Sequence, residues 1–134
     1  MTNNEIILDA TNSALGRLAS FAAKQALLGN KIIIVNSEKA IVLGNKKDIT
    51  KDFITKWQRG GVKGPFYPSK SEGVIKRAIR GMLDYKKGRG SDALKRIFCY
   101  RGVPERYAES KKLNIAVKNT MKCLTLSKLE AKIQ

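Results

Sequence analysis

The chain begins with short aliphatic runs that alternate with a helical pattern. Ile6-Ile7-Leu8 and Ile32 to Val35 are apolar at every position, which predicts strands buried on both faces. Between them, four apolar residues share one helical face: Leu15, Leu18, Ala22 and Ala26. The order strand, helix, strand is typical of a βαβ unit and therefore indicates a parallel sheet.

Polar and glycine residues mark the ends of these elements. Thr11-Asn12-Ser13 offers three possible N-caps for the first helix, and Gly29-Asn30 supplies its C-terminal stop. Lys39 to Leu43 predicts a third strand that ends at Gly44. Asn45 then caps a second predicted helix, whose apolar residues recur every four positions: Ile49, Phe53 and Trp57.

Glycine, proline and basic residues replace this rhythm in the middle of the chain. Lys56 to Pro65 predicts a long exposed loop, after which Ser69 and Glu72 have the spacing of a capping box. The helix that follows carries an apolar stripe: Val74, Ile75, Ala78, Ile79, Met82 and Leu83. Its other side is basic, with Lys76, Arg77 and Arg80.

A second basic cluster, Lys86 to Gly90, precedes a short helix that we expect Ser91 to open. In this prediction one group of side chains points inward, namely Leu94, Ile97 and Phe98, while Lys95 and Arg96 point outward. Tyr100 to Pro104 ends the helix, and near the end of the chain Ser127 and Glu130 again have capping-box spacing.

Length and composition indicate one folded unit. The chain has 134 residues, of which 43% are hydrophobic, which is enough for a packed core. We expect a single domain over 1–134, with a βαβ-like start in 1–55, basic loops and helices in 56–106, and a C-terminal extension in 107–134.

The charge is far from balance and is concentrated in one stretch. The formal net charge is +16, and residues 56–106 hold 14 Lys and Arg against 4 acidic residues, a net of +10. Such a surplus repels itself, so it implies a polyanionic partner: nucleic acid first, an anionic membrane second. The apolar runs are too short to span a bilayer and no secretory signal is visible, so we expect no membrane partner and a cytoplasmic location.

Loops rich in glycine and basic residues suit phosphate binding, because Lys and Arg displace counterions and glycine lets backbone N–H groups approach closely. The same stretch contains Trp57, Phe66, Tyr67, Tyr85, Tyr100 and Tyr107. These rings can stack on unpaired bases or simply pack, and packing is the favoured interpretation for Trp57. A solvated basic face without a partner is the alternative for the charge itself.

Catalytic patterns are weak throughout. The chain has no histidine, Gly60 to Gly64 lacks the ending of a phosphate loop, and Ala14 to Arg17 has one of the three glycines of a dinucleotide site. Asp9 follows the first strand, where we expect it to cap the next turn. Asp48 and Asp52 are expected to be solvated or paired with Lys47 and Lys51, and Cys99 and Cys123 to be buried thiols. We therefore expect no catalytic residues, cofactor, metal or small-molecule substrate.

Several blocks resemble one known family. They are Leu8-Asp9-Ala10, Leu15 to Ser20, Val35 to Ala40, Arg77 to Leu83, Arg89-Gly90 with Ala93 to Arg96, and Tyr100 to Pro104. In this order and spacing the chain resembles the archaeal and eukaryotic branch of large-subunit ribosomal protein thirteen. The family typically has proline after the Gly-Met-Leu block, whereas Asp84-Tyr85 stands here and places a negative charge beside the basic cluster.

The resemblance implies a three-layer α/β/α domain with a mostly parallel four-stranded sheet and basic extensions. It further implies a non-catalytic constituent of the large ribosomal subunit that binds its rRNA, supports its folding and assembly, and neighbours other ribosomal proteins. The helix from Arg77 to Leu83, the loop from Lys86 to Arg89 and the turn from Tyr100 to Arg106 would meet the rRNA.

We expect ten residues to contact RNA: Arg59, Lys63, Lys70, Arg77, Arg80, Lys86, Lys87, Arg89, Arg101 and Arg106. Two other classes stay open at this point. A free nucleic-acid-binding regulator would share the charge but occur away from ribosomes. An α/β enzyme acting on a phosphorylated substrate would need a second carboxylate beside Asp9 at the end of the sheet.

Overall fold

The computed structural model describes residues 4–59, 67–115 and 122–133. Its strands are β1 (Glu5–Asp9), β2 (Lys31–Val35), β3 (Ile41–Leu43), β4 (Ile97–Cys99), β5 (Leu113–Asn114) and β6 (Cys123–Thr125). Its helices are α1 (Leu15–Leu27), α2 (Lys46–Gln58), α3 (Ser71–Met82), α4 (Gly88–Lys95) and α5 (Leu126–Ile133). Two 3-10 helices, Ser37–Lys39 and Glu105–Tyr107, complete the described elements.

Four strands form a parallel sheet in the order β4-β2-β1-β5. The two central strands pair along their full length, with Ile7 opposite Ile33 and Leu8 opposite Ile34. All four residues are buried, as continuous apolar runs at the centre of a parallel sheet require. The predicted βαβ start and parallel sheet are confirmed.

The two faces of this sheet are covered differently. Leu8, Ile32 and Ile34 belong to the main core, which α1, α3 and α4 complete with Leu18, Ile75 and Ala93 among others. On the opposite face, a smaller cluster joins Ile7, Ile33 and Val35 to Tyr107 of the 3-10 helix Glu105–Tyr107. Helical segments thus lie on both sides of a parallel sheet, which confirms the predicted α/β class.

Helix α1 buries the predicted face but begins differently from the prediction. Its N-cap is Ala14, with no side-chain capping bond, so the predicted cap within Thr11-Asn12-Ser13 is wrong. The predicted stop is confirmed: Gly29 has φ 99°. Its N–H donates to the carbonyl of Ala26 and that of Asn30 to Gln25, the bond pattern of a glycine-terminated helix.

The third strand does not join the main sheet. The predicted strand from Lys39 to Leu43 is shortened, because Ser37–Lys39 forms a 3-10 helix and β3 begins only at Ile41. β3 then pairs antiparallel with β6 in a separate two-stranded ribbon. The fourth strand of the main sheet is instead supplied by β5, which pairs with β1.

Helix α2 extends further than predicted. Asn45 caps it as expected, with its Oδ1 accepting from the N–H of Lys47 at 3.2 Å. The predicted loop was placed from Lys56 onward, but the helix continues to Gln58 because Phe53 and Trp57 still pack in its last turn. The predicted loop residues from 60 to 65 lie outside the described part of the chain.

Three predicted helix starts are wrong. α3 has Lys70 as its N-cap and receives its capping contact from Glu130, not from Ser69 and Glu72. α4 begins at Gly88, three residues before Ser91. α5 begins at Leu126, and there the hydroxyl of Thr125 accepts from Lys128 N–H at 3.4 Å, where a box from Ser127 to Glu130 was predicted.

The orientation predicted after α4 also needs correction. Ile97 is buried as expected, but Phe98 is exposed, because these residues form β4 and alternate between two faces. Arg96 is half-buried, and its Nη1 donates to the Ala26 carbonyl at 2.8 Å. Arg96 therefore ties α4 to the end of α1 and does not point freely outward.

Asp9 organises the turn that follows β1, as predicted. Its Oδ1 accepts from Thr11 N–H at 3.0 Å, Thr11 Oγ1 at 2.7 Å and Asn36 Nδ2 at 3.1 Å. Burial opposes ionisation, but these hydrogen bonds and the charge of Lys39 outweigh it, so the pKa of Asp9 lies below its usual 3.8. The donor Asn36 has φ 56°, a left-handed conformation that asparagine tolerates.

Replacing Asp9 by alanine should destabilise the protein by about 1–3 kcal/mol at pH 7, because it leaves these partly buried donors without an acceptor. A carboxylate with a lowered native pKa stabilises the fold above its unfolded pKa and loses this effect as pH falls through the native value. The difference in urea unfolding free energy between the two proteins should therefore shrink below about pH 4. A pH-independent difference would contradict the role of the ionised group.

Gly90 is required by close packing. A Cβ at this position would lie 1.9 Å from the carbonyl oxygen of Asp84, which itself accepts from Lys87 N–H at 3.1 Å. Gly90→Ala should therefore lower the free energy of unfolding by about 1–3 kcal/mol. Gly81→Ala in α3 is the matched control, because nothing lies within 4 Å of its Cβ, and it should stabilise the helix by up to about 1 kcal/mol. Equal effects in urea denaturation would refute this distinction.

Candidate nucleic-acid interface

Nine of the ten predicted RNA-contacting residues lie in the described part of the chain, and Lys63 lies outside it. Two of them are half-buried, Arg77 and Arg80. The others are exposed: Arg59, Lys70, Lys86, Lys87, Arg89, Arg101 and Arg106. They fall into four groups: at the end of α2, at the start and on the outer side of α3, around the start of α4, and on the turns that precede β5.

Helix α3 has the predicted two-sided character, except that Met82, predicted as part of the apolar stripe, is exposed. Val74, Ile75 and Ile79 are buried in the main core. Arg77 and Arg80 lie outside this stripe, and each guanidinium rests on a tyrosine ring. Burial of one face therefore fixes which side of the helix presents cations.

An aromatic cluster supports Arg77. Its guanidinium carbon lies 5.6 Å from the ring centroid of Tyr67, and Lys56 Nζ lies 5.4 Å from the same centroid. Tyr67 packs edge-on to Phe53, and Trp57 donates from Nε1 to the Pro68 carbonyl at 2.9 Å. The packing interpretation of Trp57 is confirmed. The cluster joins α2 to the start of α3 and brings two cations, one from each helix, to the same ring.

Arg80 stacks on Tyr85, with 4.7 Å between its guanidinium carbon and the ring centroid. Its Nε is buried and, within the described residues, has no hydrogen-bond partner. The ring restricts the side chain, which lowers the entropy lost when the guanidinium binds an anion. Tyr85, which follows the Asp84 that stands directly after the Gly-Met-Leu block, thus serves as the support for Arg80.

Lys87 and Arg89 flank a hollow of about 380 Å³ between α3 and α4, whose other lining residues are Leu27, Met82, Asp84 and Gly90. Asp84 lies 3.5 Å from Lys87, but both side chains are well exposed, so this ion pair contributes little stability. The N-terminal end of α4 adds the positive end of its helix dipole. An anion in this hollow would meet two cations and the start of a helix, together with the Asp84 carboxylate that pairs with Lys87.

Arg101 is committed to a structural contact. Its Nη1 donates to Glu130 Oε2 at 2.6 Å, and the Glu130 side chain is only 11% exposed. The other oxygen of Glu130 accepts from the backbone N–H and the hydroxyl of Ser71. Gly102, at φ 63°, donates its N–H to Glu38. One carboxylate thus joins the start of α3, the turn at Arg101 and α5.

Arg106 lies apart from the α3 group. Its guanidinium carbon is 5.4 Å from the ring centroid of Tyr107, which covers the second face of the sheet. Arg106 therefore lies at this second face of the sheet, whereas Arg77 and Arg80 lie on the side that the helices cover. The nine described residues of the predicted set are thus distributed over more than one side of the sheet.

The sequence pattern missed Lys56 as a partner of the arginines, because it was assigned to the loop. The available signal was its spacing from Phe53, since residues three apart on a helix are neighbours. Lys56 lies 5.1 Å from the Phe53 ring and 3.3 Å from Asp52. Asp52 is exposed and forms an ion pair with Lys56. The sequence pattern predicted that it is solvated or paired with Lys51.

Within residues 4–59, 67–115 and 122–133, no group of three histidine, cysteine, aspartate or glutamate side chains is arranged to hold a metal ion. Cys99 and Cys123 are free thiols, both half-buried. Burial raises the pKa of Cys99 to about 12, so its thiol stays protonated at neutral pH. In these same stretches, each helix is too short or too polar to cross a bilayer.

Comparisons with known proteins place these features in a family context. The model of the family described as ribosomal protein L13 matches residues 3–106. The chain is 41% identical over 129 residues to the large ribosomal subunit protein uL13 of Methanococcus maripaludis, covering 92% of this chain and 93% of that protein. It is 42% identical over 112 residues to that of Methanosarcina barkeri, covering 82% and 80%.

The protein of the same name from Methanopyrus kandleri is 46% identical over 99 residues, which is 73% of this chain. The chain spans 62% of the length of that relative.

The Glu130 contact can be tested separately from RNA binding. Glu130→Gln should lower the free energy of unfolding by about 1–3 kcal/mol, because it weakens hydrogen bonds to an arginine and to the first turn of α3. The control Glu109→Gln removes an exposed carboxylate and should change the free energy of unfolding by less than about 0.5 kcal/mol. Urea unfolding of both variants checks this, and equal stabilities would show that the three-way contact carries no energy.

Proposed function

Because this chain belongs to the ribosomal protein L13 family, we propose that it is a structural constituent of the large ribosomal subunit that binds large-subunit rRNA. The relatives are named as large ribosomal subunit proteins, and the family is structural and non-enzymatic. In this proposal the protein supports the folding and assembly of the rRNA and works in the cytoplasm, beside neighbouring ribosomal proteins.

The observation that carries the proposal is the pairing of a buried apolar stripe with ring-supported arginines on α3. Ile75 and Ile79 anchor the helix in the core, while Arg77 and Arg80 lie on tyrosine rings on its other side. Such arginines are oriented before a partner arrives. A guanidinium held in this way can grip a phosphate with two hydrogen bonds or stack on an unpaired base.

The mechanism is electrostatic and needs no chemical step. Each Lys or Arg that neutralises a phosphate releases condensed counterions, so affinity falls as salt rises. The exposed cations around the start of α4, Lys86, Lys87 and Arg89, extend the α3 surface toward a second group of phosphates. Arg59 and Lys70 lie at the end of α2 and the start of α3, on either side of the residues from 60 to 66.

The predicted organisation as one domain over 1–134 is part of the proposal. The main core includes residues from all three stretches of the chain, such as Leu8, Ile75 and Leu129. The described residues of the C-terminal stretch support this organisation, because β5 pairs with β1 in the main sheet and β6 pairs with β3. The basic middle is then an elaboration of one folded body, which supports its use as a rigid RNA-binding surface.

Removing the charges of Arg77, Arg80 and Arg89 tests this surface. The triple variant R77Q/R80Q/R89Q should bind protein-free large-subunit rRNA with a salt slope of log K smaller by about three units, roughly one for each lost phosphate contact. The matched control is K46Q/K47Q/K51Q, which removes three exposed charges from α2. Filter binding over a salt series checks both, and an unchanged slope in the first variant, or an equal loss in the control, would refute the assignment.

A further inference from the structure

The second face of the main sheet is covered only in part by the described residues. Side chains alternate between the two faces along each strand, so Lys31 and Ile33 of β2 lie on the same face. In the strand register, Glu5 of β1 stands beside Lys31, and Phe98 of β4 stands beside Ile33. Glu5 and Phe98 therefore lie on this face as well. Tyr107 and its neighbours bury Ile33 completely. Phe98, one strand away in the same register, is 38% exposed.

Cations surround this exposed ring. Lys31 Nζ lies 5.2 Å from the centroid of the Phe98 ring. A hollow of about 340 Å³ beside the ring is lined by Glu5, Gly29, Lys31, Lys95, Arg96 and Phe98, which are three cations against one carboxylate. Arg96 is held in place by its hydrogen bond to Ala26, so one wall of the hollow is rigid.

A neighbouring hollow extends the positive charge across the sheet. It measures about 490 Å³ and is lined by Glu5, Ile7, Arg106, Tyr107, Ser110 and Lys111. Glu5 lines both hollows and is the only acidic residue in either lining set. Burial raises the pKa of Tyr107, the Arg106 charge opposes this, and the Glu5 charge raises it further. The two hollows together are lined by five cations against the single carboxylate of Glu5. These cations are Lys31, Lys95, Arg96, Arg106 and Lys111.

We propose that this corner of the sheet, formed by Lys31, Lys95, Arg96 and Phe98, is a second RNA-binding surface that takes an unpaired stretch of the RNA. The Phe98 ring would stack on a base, while the surrounding cations neutralise the phosphates on either side. An exposed aromatic ring on a sheet, flanked by positive charge, is an arrangement that suits single-stranded RNA. A neutral apolar partner would instead have to desolvate these cations without compensation.

This second surface changes the geometry of binding. Arg77 and Arg80 belong to the helical layer on one side of the sheet, and Phe98 belongs to the opposite side. The protein would therefore lie between two parts of the RNA and join them, whereas a protein with a single basic face would contact only one part. The inference rests on the proposed function, since both surfaces require RNA as the partner.

The test compares variants of the full chain in binding to protein-free large-subunit rRNA. K31Q/K95Q should reduce the salt slope of log K by about two units, whereas K46Q/K47Q, with two exposed charges removed from α2, should leave it unchanged. Phe98→Ala should weaken binding about five- to a hundredfold, the usual range for loss of one stacked base, with no change in slope. Phe98→Leu keeps the apolar contact for folding and should also lose affinity.

The outcomes separate the two proposals. If K31Q/K95Q and Phe98→Leu bind like the unchanged protein while R77Q/R80Q/R89Q loses affinity, the second surface is refuted and the proposed function stands. If R77Q/R80Q/R89Q also binds normally, the proposed function is refuted with it. If K31Q/K95Q binds rRNA normally but fails to join reconstituted large subunits, this corner contacts a neighbouring protein, which equally overturns the RNA assignment.

Discussion

The parallel pairing of β1 with β2 is the constraint on which the rest of the molecule depends. Both strands are apolar at successive positions, so both faces of the sheet must be covered. Three helices cover one face, and a single 3-10 helix with Tyr107 covers part of the other. Because the apolar residues fill the space against the two faces of the sheet, the cations lie on the remaining surface: on the outer side of α3, around α4 and at the edges of the second face.

Long-range contacts then decide how the cations are presented. Glu130 accepts hydrogen bonds from Ser71 and Arg101, which are far apart in the chain. The Tyr67 ring gathers Lys56 and Arg77 from two helices. These contacts orient the side chains before any partner binds. In this respect the surface differs from a run of charged residues that are freely solvated. Arg101 shows that a count of basic residues does not equal the number of cations free to bind RNA, because part of its guanidinium already contacts Glu130.

The elements with strong apolar periodicity could be predicted from the sequence, because burial alone determines them. β1, α1, β2 and the two-sided α3 follow from local pattern, and so does the parallel sheet. The local cap of α2 at Asn45 could be predicted. The start of α3 could not, because the carboxylate that caps it comes from Glu130, far away in the chain, and the Ser69–Glu72 spacing suggested a local cap. The pairing of β3 with β6 is equally non-local. Phe98 was misplaced because a helical period was extended into a strand, where the period is two. The cations on the second face were overlooked for the same reason: Lys31 and Phe98 become neighbours only through the register of three strands.

The position of Glu130 in the chain has a consequence for biosynthesis. Translation proceeds from the N-terminus, so β1, α1 and β2 leave the ribosome well before α5 does. Until Glu130 has emerged, the first turn of α3 lacks its acceptor and Arg101 lacks its anion. The basic surface thus reaches its final shape only after residue 130 has been made. A chain synthesised only as far as α4 already carries the cations of α3 and α4, but the contacts with Glu130 that help to orient this surface are not yet formed.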